Sequence, residues 1–260
     1  MSVSLPTVLA LDFDGVLCDG LKEYFQTAWQ AYRNLWHLGD QPPPEGVAER
    51  FYRLRPVVET GWEMPVVLRA IELGISDEDV LQNWGAIAQK IVQKENLEPA
   101  RLASEVDGVR DRWIASNLDS WLAEHRCYPG VIDRLKIVLS NPIHTIIIST
   151  KEKRFIEKLL HQQGVDLTHL RIYGKEMQRP KHQILRELML EYGRDEVFWF
   201  VEDRLKTLQA IQKQSDLQGV LLFLADWGYN TPTDREVAEG DPTIHRISIE
   251  QFSQDFDTWL

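Results

Sequence analysis

The sequence has few cysteines and fewer basic than acidic side chains. Of its 260 residues only two are cysteine, Cys18 and Cys127, and they lie in unrelated sequence contexts. Without regularly spaced cysteines, neither a disulfide framework nor a cysteine-based metal site is predicted, and we expect a cytoplasmic protein. The net charge is −11. Because such a protein repels the phosphate backbone, nucleic acid is not an expected partner.

Long apolar runs are also lacking. The first residues, MSVSLPTV, do not join a basic segment to an apolar one, so no signal peptide is predicted. No run approaches the roughly 18 apolar residues that cross a bilayer, so a membrane is not an expected partner either. The hydrophobic content of 43% and charged content of 27% are typical of globular proteins. This length suits one large domain or a core with an inserted module.

The apolar pattern changes twice along the chain. Residues 7–17 are strand-like, whereas residues 19–125 show helical periodicity, with Ser76 as an expected N-cap before three acidic residues. From residue 127 onward, strand-like and helical patterns alternate. The predicted strands of this part are His144–Ser149, Leu170–Tyr173, Val197–Val201 and Val220–Leu224, and the predicted helices are Lys151–Gln163, Lys181–Tyr192 and Arg204–Gln214.

These predicted strands are continuous apolar runs such as TIII and VLLFL. Continuous rather than alternating runs are typical of a parallel sheet covered on both faces. We therefore predict an α/β fold with a doubly wound, Rossmann-like parallel sheet, formed by residues 1–18 and 126–260. An all-helical module, residues 19–125, is inserted after the first strand.

Two carboxylates follow the first predicted strand in the stretch VLALDFDG. Asp12 and Asp14 are two residues apart, so in an extended segment their side chains point to the same side. Two like charges this close are unfavourable unless a cation lies nearby. The pattern is consistent with a magnesium-bound nucleophile, and also with an ordinary Asp-Gly turn.

Polar groups follow the other predicted strands as well. They are Ser149-Thr150-Lys151, Gly174-Lys175, Glu202-Asp203 and Asp226-Trp227-Gly228. Ligands of open parallel sheets bind at the carboxyl ends of the strands, so these groups should share one edge. Carboxylate oxygens suit Mg²⁺, and hydroxyl and cationic groups suit phosphate oxygens.

The order Asp-x-Asp, Ser/Thr, Lys and then an acidic pair resembles the haloacid dehalogenase superfamily of phosphohydrolases. CYPGV at 127–131 resembles the segment before its second motif, and DWGY at 226–229 resembles phosphoglycolate-phosphatase-like members. The four motifs span the whole predicted core. The helical insertion falls where the family has its type-one cap.

The resemblance implies a role for each motif residue. Asp12 would be the nucleophile and a metal ligand, and Asp14 the general acid and base, with its backbone carbonyl on the metal. Gly15 would let the backbone approach the phosphate. Ser149 would hold a phosphate oxygen; the adjacent Thr150 is the alternative, and a helix-capping role is possible for either.

The cation of the third motif has three candidates. Lys181 opens a predicted helix and is the favoured one, while Arg179 and Lys175 remain alternatives. The acidic pair Glu202 and Asp203 is expected to bind the metal, directly or through water. Relatives that have Gly-Asp in place of this pair carry another Asp four residues after it. This chain has Thr207 at that position, so the pair resembles the double-acid form of the motif.

Substrate selection is expected from the inserted module, because the core motifs all serve the phosphate. The candidate stretch is RPVVETGWEMP, residues 55–65, whose prolines and glycine predict a turn between helices. Arg55, Glu59 and Trp62 offer it a cation, an acid and a flat apolar face for substrate binding. The alternative is an ordinary connection between helices.

The expected function is Mg²⁺-dependent hydrolysis of a small phosphorylated metabolite through an aspartyl-phosphate, by a monomer or homodimer. A phosphomutase of the β-phosphoglucomutase kind is the alternative enzyme. A non-catalytic metal-binding or interaction protein on the same fold is the alternative outside enzymes.

Overall fold

The computed structural model describes residues 4–193 and 195–260, and it divides the chain into two compact units. The core unit comprises the chain up to Asp19 together with Arg126–Leu260, and the inserted unit is Gly20–His125. The core unit begins with two strands, β1 (Val8–Leu11) and β2 (Cys18–Asp19).

The inserted unit is helical throughout, and no residue of Gly20–His125, all of which are described, forms a strand. Its helices are α1 (Leu21–Leu35), α2 (Val47–Leu54), α3 (Glu63–Glu72), α4 (Asp77–Lys94), α5 (Pro99–Ser116) and α6 (Leu118–Leu122), with a 3₁₀ turn at Arg55–Val57. The predicted N-cap is confirmed, because the Ser76 side chain accepts a hydrogen bond from the Asp79 amide. Phe51, Leu102 and Val106 lie in an apolar core of its own.

A buried carboxylate also ties the inserted unit together. Glu23 on α1 is fully buried. It accepts hydrogen bonds from Thr27 Oγ1, from the Arg110 guanidinium on α5 and from Trp121 Nε1 on α6. Because a buried charge is tolerated only when paired and hydrogen-bonded, this network fixes three helices against one another.

The chain re-enters the core unit at Arg126 and then alternates strands with helices. The elements are β3 (Arg126–Cys127), α7 (Val131–Leu139), β4 (His144–Ile148), α8 (Lys153–Gln162), β5 (Leu170–Tyr173), α9 (Lys181–Tyr192), β6 (Phe198–Glu202), α10 (Leu205–Gln212), β7 (Val220–Ala225), α11 (Pro232–Glu239), β8 (Ile244–Ile247) and α12 (Ile249–Phe252), with 3₁₀ turns at Lys175–Met177, Ser215–Leu217 and Phe256–Thr258.

The main sheet has the strand order β5-β4-β1-β6-β7-β8, and all its pairings are parallel. Leu11, the last residue of β1, lies opposite Ile147 of β4 and Val201 of β6. The strand order reverses at β1, which is the topological switch point where open α/β sheets bind ligands. The predicted doubly wound parallel fold is therefore confirmed, and the ends of β1, β4 and β6 are neighbours.

Two features of the core were not predicted from sequence. The edge strand β8 reads IHRI, with Ile244 and Ile247 buried and polar residues between them, so it lacks the continuous apolar run of the inner strands. The other is a separate antiparallel ribbon of β2 and β3, whose two-residue strands are too short for any periodic pattern. Among the described residues, no helix is both long and apolar enough to cross a membrane.

Candidate active site

Three acidic side chains converge where β1 and β6 end. Asp12 directly follows β1, Glu202 is the last residue of β6 and Asp203 follows it. One carboxylate oxygen from each lies within 4.8 Å of the others. Their exposed fractions are only 6%, 0% and 1%. Since β1 and β6 are paired neighbours, the parallel sheet itself brings this acidic cluster together.

Asp203 is held in place by one backbone donor and one side-chain donor. The Tyr229 amide donates to Asp203 Oδ2 at 2.7 Å, and Asn230 Nδ2 donates to the Asp203 carbonyl at 3.1 Å. A Cβ atom on Gly15 would lie 2.0 Å from Asp203 Oδ2, and one on Gly228 would lie 2.3 Å from Asp203 Cβ. Glycine is therefore required at both positions, because a side chain at either one would collide with Asp203. Gly15 also has a φ of +88°, which favours glycine.

Lys181 is the candidate third-motif cation that lies at the acidic cluster. It is the first residue of α9, and its Nζ lies 2.8 Å from Asp12 Oδ1 and 2.7 Å from Glu202 Oε2. Arg179 pairs instead with Glu187 at the surface. Lys175 is exposed on the 3₁₀ turn after β5.

The cluster carries more negative charge than its lysine offsets. Burial raises the pKa of Asp12 to about 7 despite the opposing charge of Lys181. Burial likewise raises the pKa of Glu202 to about 7 and that of Asp203 to about 6; the charge of Asp203 adds to the first shift and the charge of Asp12 to the second. For Lys181, burial acts to lower the pKa, but the charges of Asp12 and Glu202 outweigh it and raise the pKa. The site therefore favours a further positive charge, either protons or a cation.

The donor atoms fit a magnesium ion. They are hard carboxylate oxygens, and no histidine or cysteine belongs to the cluster found among the described residues. Asp203 Oδ1 is buried and receives no hydrogen bond from any described residue. A buried acceptor without a donor is costly, and a cation at this point would remove that cost.

Asp14 does not share the lysine that contacts Asp12. Its Oδ1 lies 3.2 Å from Lys151 Nζ, with side-chain exposures of 16% for Asp14 and 8% for Lys151. Lys151 was not predicted as a site residue, although it follows Ser149-Thr150 at the end of β4 and so carried the signal of a strand-end residue. The two aspartates of the first motif thus have two different lysine neighbours.

Ser149 and Thr150 are placed differently. Ser149 is 7% exposed, and its Oγ accepts a hydrogen bond from the Lys151 amide at 3.2 Å. Thr150 is exposed. Neither residue is the N-cap of α8, which is Glu152, so the alternative capping role for this pair is not observed.

The stretch at residues 55–65 lies in the inserted unit, and its residues 55–62 connect α2 to α3 as predicted. Its last three residues, Glu63 to Pro65, instead form the first turn of α3. Arg55 Nη1 donates to the Val58 carbonyl at 3.1 Å, and its guanidinium lies 4.6 Å from the centroid of the Tyr24 ring. The Glu59 amide donates to Glu63 Oε2 at 2.6 Å. Trp62 packs partly buried against the unit's apolar core. A substrate role for Arg55, Glu59 and Trp62 stays a prediction.

Comparison with known proteins assigns the family. The family model for haloacid dehalogenase-like hydrolases matches residues 6–213. Since the match covers most of the chain, this protein belongs to the haloacid dehalogenase-like hydrolases, and the resemblance inferred from the motifs is confirmed. No curated protein matches the chain in sequence.

Solved structures agree at the level of fold. A predicted phosphatase from Clostridium acetobutylicum superposes with a TM-score of 0.61 at 14% identity, covering 96% of this chain and 97% of that one. A haloacid dehalogenase-like family hydrolase from Streptococcus pneumoniae gives 0.57 at 14% identity, covering 94% and 95%. A predicted phosphoglycolate phosphatase from Haemophilus somnus gives 0.54 at 13% identity, covering 88% and 89%.

Proposed function

We propose that the protein is a Mg²⁺-dependent phosphatase that hydrolyses a small phosphomonoester through an aspartyl-phosphate on Asp12. One observation carries the proposal. Asp12 is a buried carboxylate at the end of the central strand β1, in contact with Lys181 and beside Glu202 and Asp203. A nucleophilic carboxylate that must approach a phosphate dianion needs positive charge around it. Lys181 supplies one such charge, and a cation bound by the acidic cluster would supply the rest.

The chemistry would run in two displacements at phosphorus. A carboxylate oxygen of Asp12 attacks phosphorus, and the ester oxygen leaves with a proton from Asp14. Asp14, now a carboxylate, takes a proton from water, whose oxygen attacks phosphorus and releases Asp12. Bound Mg²⁺ would offset the charge of the phosphoryl oxygens during both steps. Ser149 is the proposed hydroxyl contact for one of these oxygens.

The contacts of the acidic pair favour different roles for its two members. Both Glu202 oxygens already accept hydrogen bonds, Oε2 from Lys181 Nζ at 2.7 Å and Oε1 from the Arg204 amide at 3.0 Å. By contrast, Asp203 Oδ1 accepts no hydrogen bond from any described residue. We therefore propose that Asp203 and Asp12 bind Mg²⁺ directly, together with the Asp14 carbonyl. Glu202 would position Lys181 and contact the ion through water.

The separate lysines suit the separate tasks of the two aspartates. Lys181 lies against Asp12, where negative charge accumulates when phosphate arrives. The positive charge of Lys151 holds the Asp14 carboxylate in position. We expect the leaving group of the substrate to lie beside this carboxylate. The site thus has a nucleophile and an acid–base group, and each of them has its own lysine. This arrangement favours catalysis over the alternative of a metal-binding protein without activity.

The support for the substrate class comes from the neighbouring structures. The neighbouring structures include proteins named as predicted phosphatases, one of them for phosphoglycolate. These names favour a small phosphorylated metabolite, with the inserted unit selecting among such molecules. With two free cysteines, we expect the protein to act in the cytoplasm, as a monomer or homodimer.

A panel of phosphorylated metabolites tests the proposal. Release of inorganic phosphate is measured with Mg²⁺, then after chelation, with the Asp12→Asn variant as the control for a contaminating phosphatase. We expect Mg²⁺-dependent release from at least one small phosphomonoester and none from the variant. Isomerised sugar phosphate without phosphate release would indicate the mutase instead, and phosphate release that survives chelation would contradict the proposal.

A further inference from the structure

The two cysteines, distant in sequence, are direct cross-strand neighbours. In the β2–β3 ribbon, Cys18 lies opposite Cys127. The Tyr128 amide donates to the Leu17 carbonyl at 3.1 Å, so the cysteines occupy the non-hydrogen-bonded position of the antiparallel ladder. Opposed Cα atoms at such a position are about 4.5 Å apart, which lies within the range of about 4.4–6.8 Å that a disulfide spans.

The two thiols differ in access and in acidity. Cys18 is fully buried, whereas Cys127 is partly exposed. The interaction between the two thiols raises the pKa of Cys18, which burial raises further, and lowers the pKa of Cys127. Cys127 is therefore the thiol that a small oxidant would reach first and that would react with it first.

We propose that Cys18 and Cys127 form a reversible dithiol–disulfide site that is oxidised by hydrogen peroxide. The Cys127 thiolate attacks one peroxide oxygen, forming an S–O bond as the O–O bond breaks and hydroxide leaves to become water. Cys18 Sγ then attacks Cys127 Sγ, the S–S bond forms, and the displaced hydroxide takes the Cys18 proton to give a second water. Two sulfurs are oxidised by one electron each, and the peroxide is reduced to two waters.

The disulfide would act on the turn that carries Asp14. Cys18 closes this turn, because its carbonyl accepts from the Gly15 amide at 2.8 Å and its amide donates to the Phe13 carbonyl at 2.9 Å. A covalent bond from Cys18 to β3 restrains both contacts, so we expect lower turnover in the oxidised protein. The same bond closes a loop that contains all of Gly20–His125, so we expect a higher melting temperature.

The test uses reduced full-length protein treated with hydrogen peroxide. We expect loss of both free thiols, an intact mass lower by two hydrogens, and a Cys18–Cys127 cross-linked peptide in a non-reducing digest, all reversed by dithiothreitol. Phosphate release should fall and return in parallel. These mass and thiol measurements do not depend on the proposed phosphatase activity, so failure of one hypothesis is distinguishable from failure of the other.

Two single variants serve as controls. When reduced, Cys127→Ser and Cys18→Ala should have melting temperatures close to that of the wild type. After peroxide treatment neither variant should lose the two hydrogens that mark an intramolecular disulfide, and the turnover of Cys127→Ser should be unchanged. Cys127 oxidised to sulfinic acid while Cys18 stays reduced, or two free thiols remaining after treatment, would overturn the dithiol proposal. Full disulfide formation with unchanged turnover would overturn its effect on the Asp14 turn.

Discussion

Replacing Lys181 with methionine should impair both turnover and stability, and the reason lies in its two contacts. Lys181 Nζ is 2.8 Å from Asp12 Oδ1 and 2.7 Å from Glu202 Oε2, in a setting where both carboxylates are buried. Removing one partner of a buried ion pair costs about 3–5 kcal/mol, because the remaining charge is left without compensation. Removing a group that stabilises transition-state charge lowers kcat by about 10²–10³-fold.

The stability loss should depend on pH in a defined direction. At pH 7.5 and without metal, Lys181→Met removes the positive charge that lowers the pKa of Asp12 and of Glu202. Each buried carboxylate must then take up a proton or remain without compensation, so we expect a loss of about 3 kcal/mol, at the low end of the range for broken buried pairs. At pH 5.5 a proton can replace the lysine charge, since the pKa of Asp12 and that of Glu202 are already raised to about 7. The loss should therefore shrink at the lower pH. Urea unfolding of wild type and variant at the two pH values measures it.

Arg179→Met is the matched control, because this residue lies two positions before Lys181 and pairs with Glu187 in a largely exposed position. Exposed ion pairs contribute about 0–1 kcal/mol, so this variant should keep its stability and its turnover. Lys175→Met should behave in the same way. Equal stability losses for the Lys181 and Arg179 variants, or loss of turnover only in Arg179→Met, would refute the assignment of Lys181.

Three further predictions follow from the same geometry. Asp14→Asn should slow alkyl phosphates far more than nitrophenyl phosphate, because only the alkoxide needs a proton from the acid; equal losses would argue against the acid role. Without metal, the raised carboxylate pKa values mean that the folded state binds more protons than the unfolded state between about pH 4 and 7. Stability contributed by these groups therefore falls as pH rises through that window, and Mg²⁺ should raise the melting temperature more at pH 7.5 than at pH 5.5; a pH-independent shift would contradict this. Arg55→Ala and Trp62→Ala should change the ranking of substrates and raise KM for the best one, and an unchanged ranking across the panel would leave this stretch a connector.

The fold and much of the site followed from local patterns in the sequence. The apolar runs before Asp12, Ser149 and Glu202 are each long enough to predict a strand, and parallel pairing then brings their ends to one edge. Strand β8 was not predicted, because only Ile244 and Ile247 of this strand are buried and it therefore has no continuous apolar run.

The remaining features depend on contacts between distant segments, which a single sequence does not encode in any short pattern. Lys181 could not be separated from Arg179 by sequence alone, because the choice depends on where α9 begins relative to the end of β6. The pairing of Lys151 with Asp14 joins β4 to the turn after β1. Cys18 and Cys127 meet only because the chain leaves and re-enters the core unit at the same ribbon.

The identity of the nucleophile is tested most directly by trapping the phosphoryl-enzyme. Protein mixed with a good substrate and Mg²⁺ is quenched in acid within one turnover, and its peptides are measured by mass spectrometry. We expect the added mass of one phosphoryl group on the peptide that contains Asp12, and no such adduct in Asp12→Asn. A phosphoryl group on another residue, or rapid turnover by Asp12→Asn, would contradict the account.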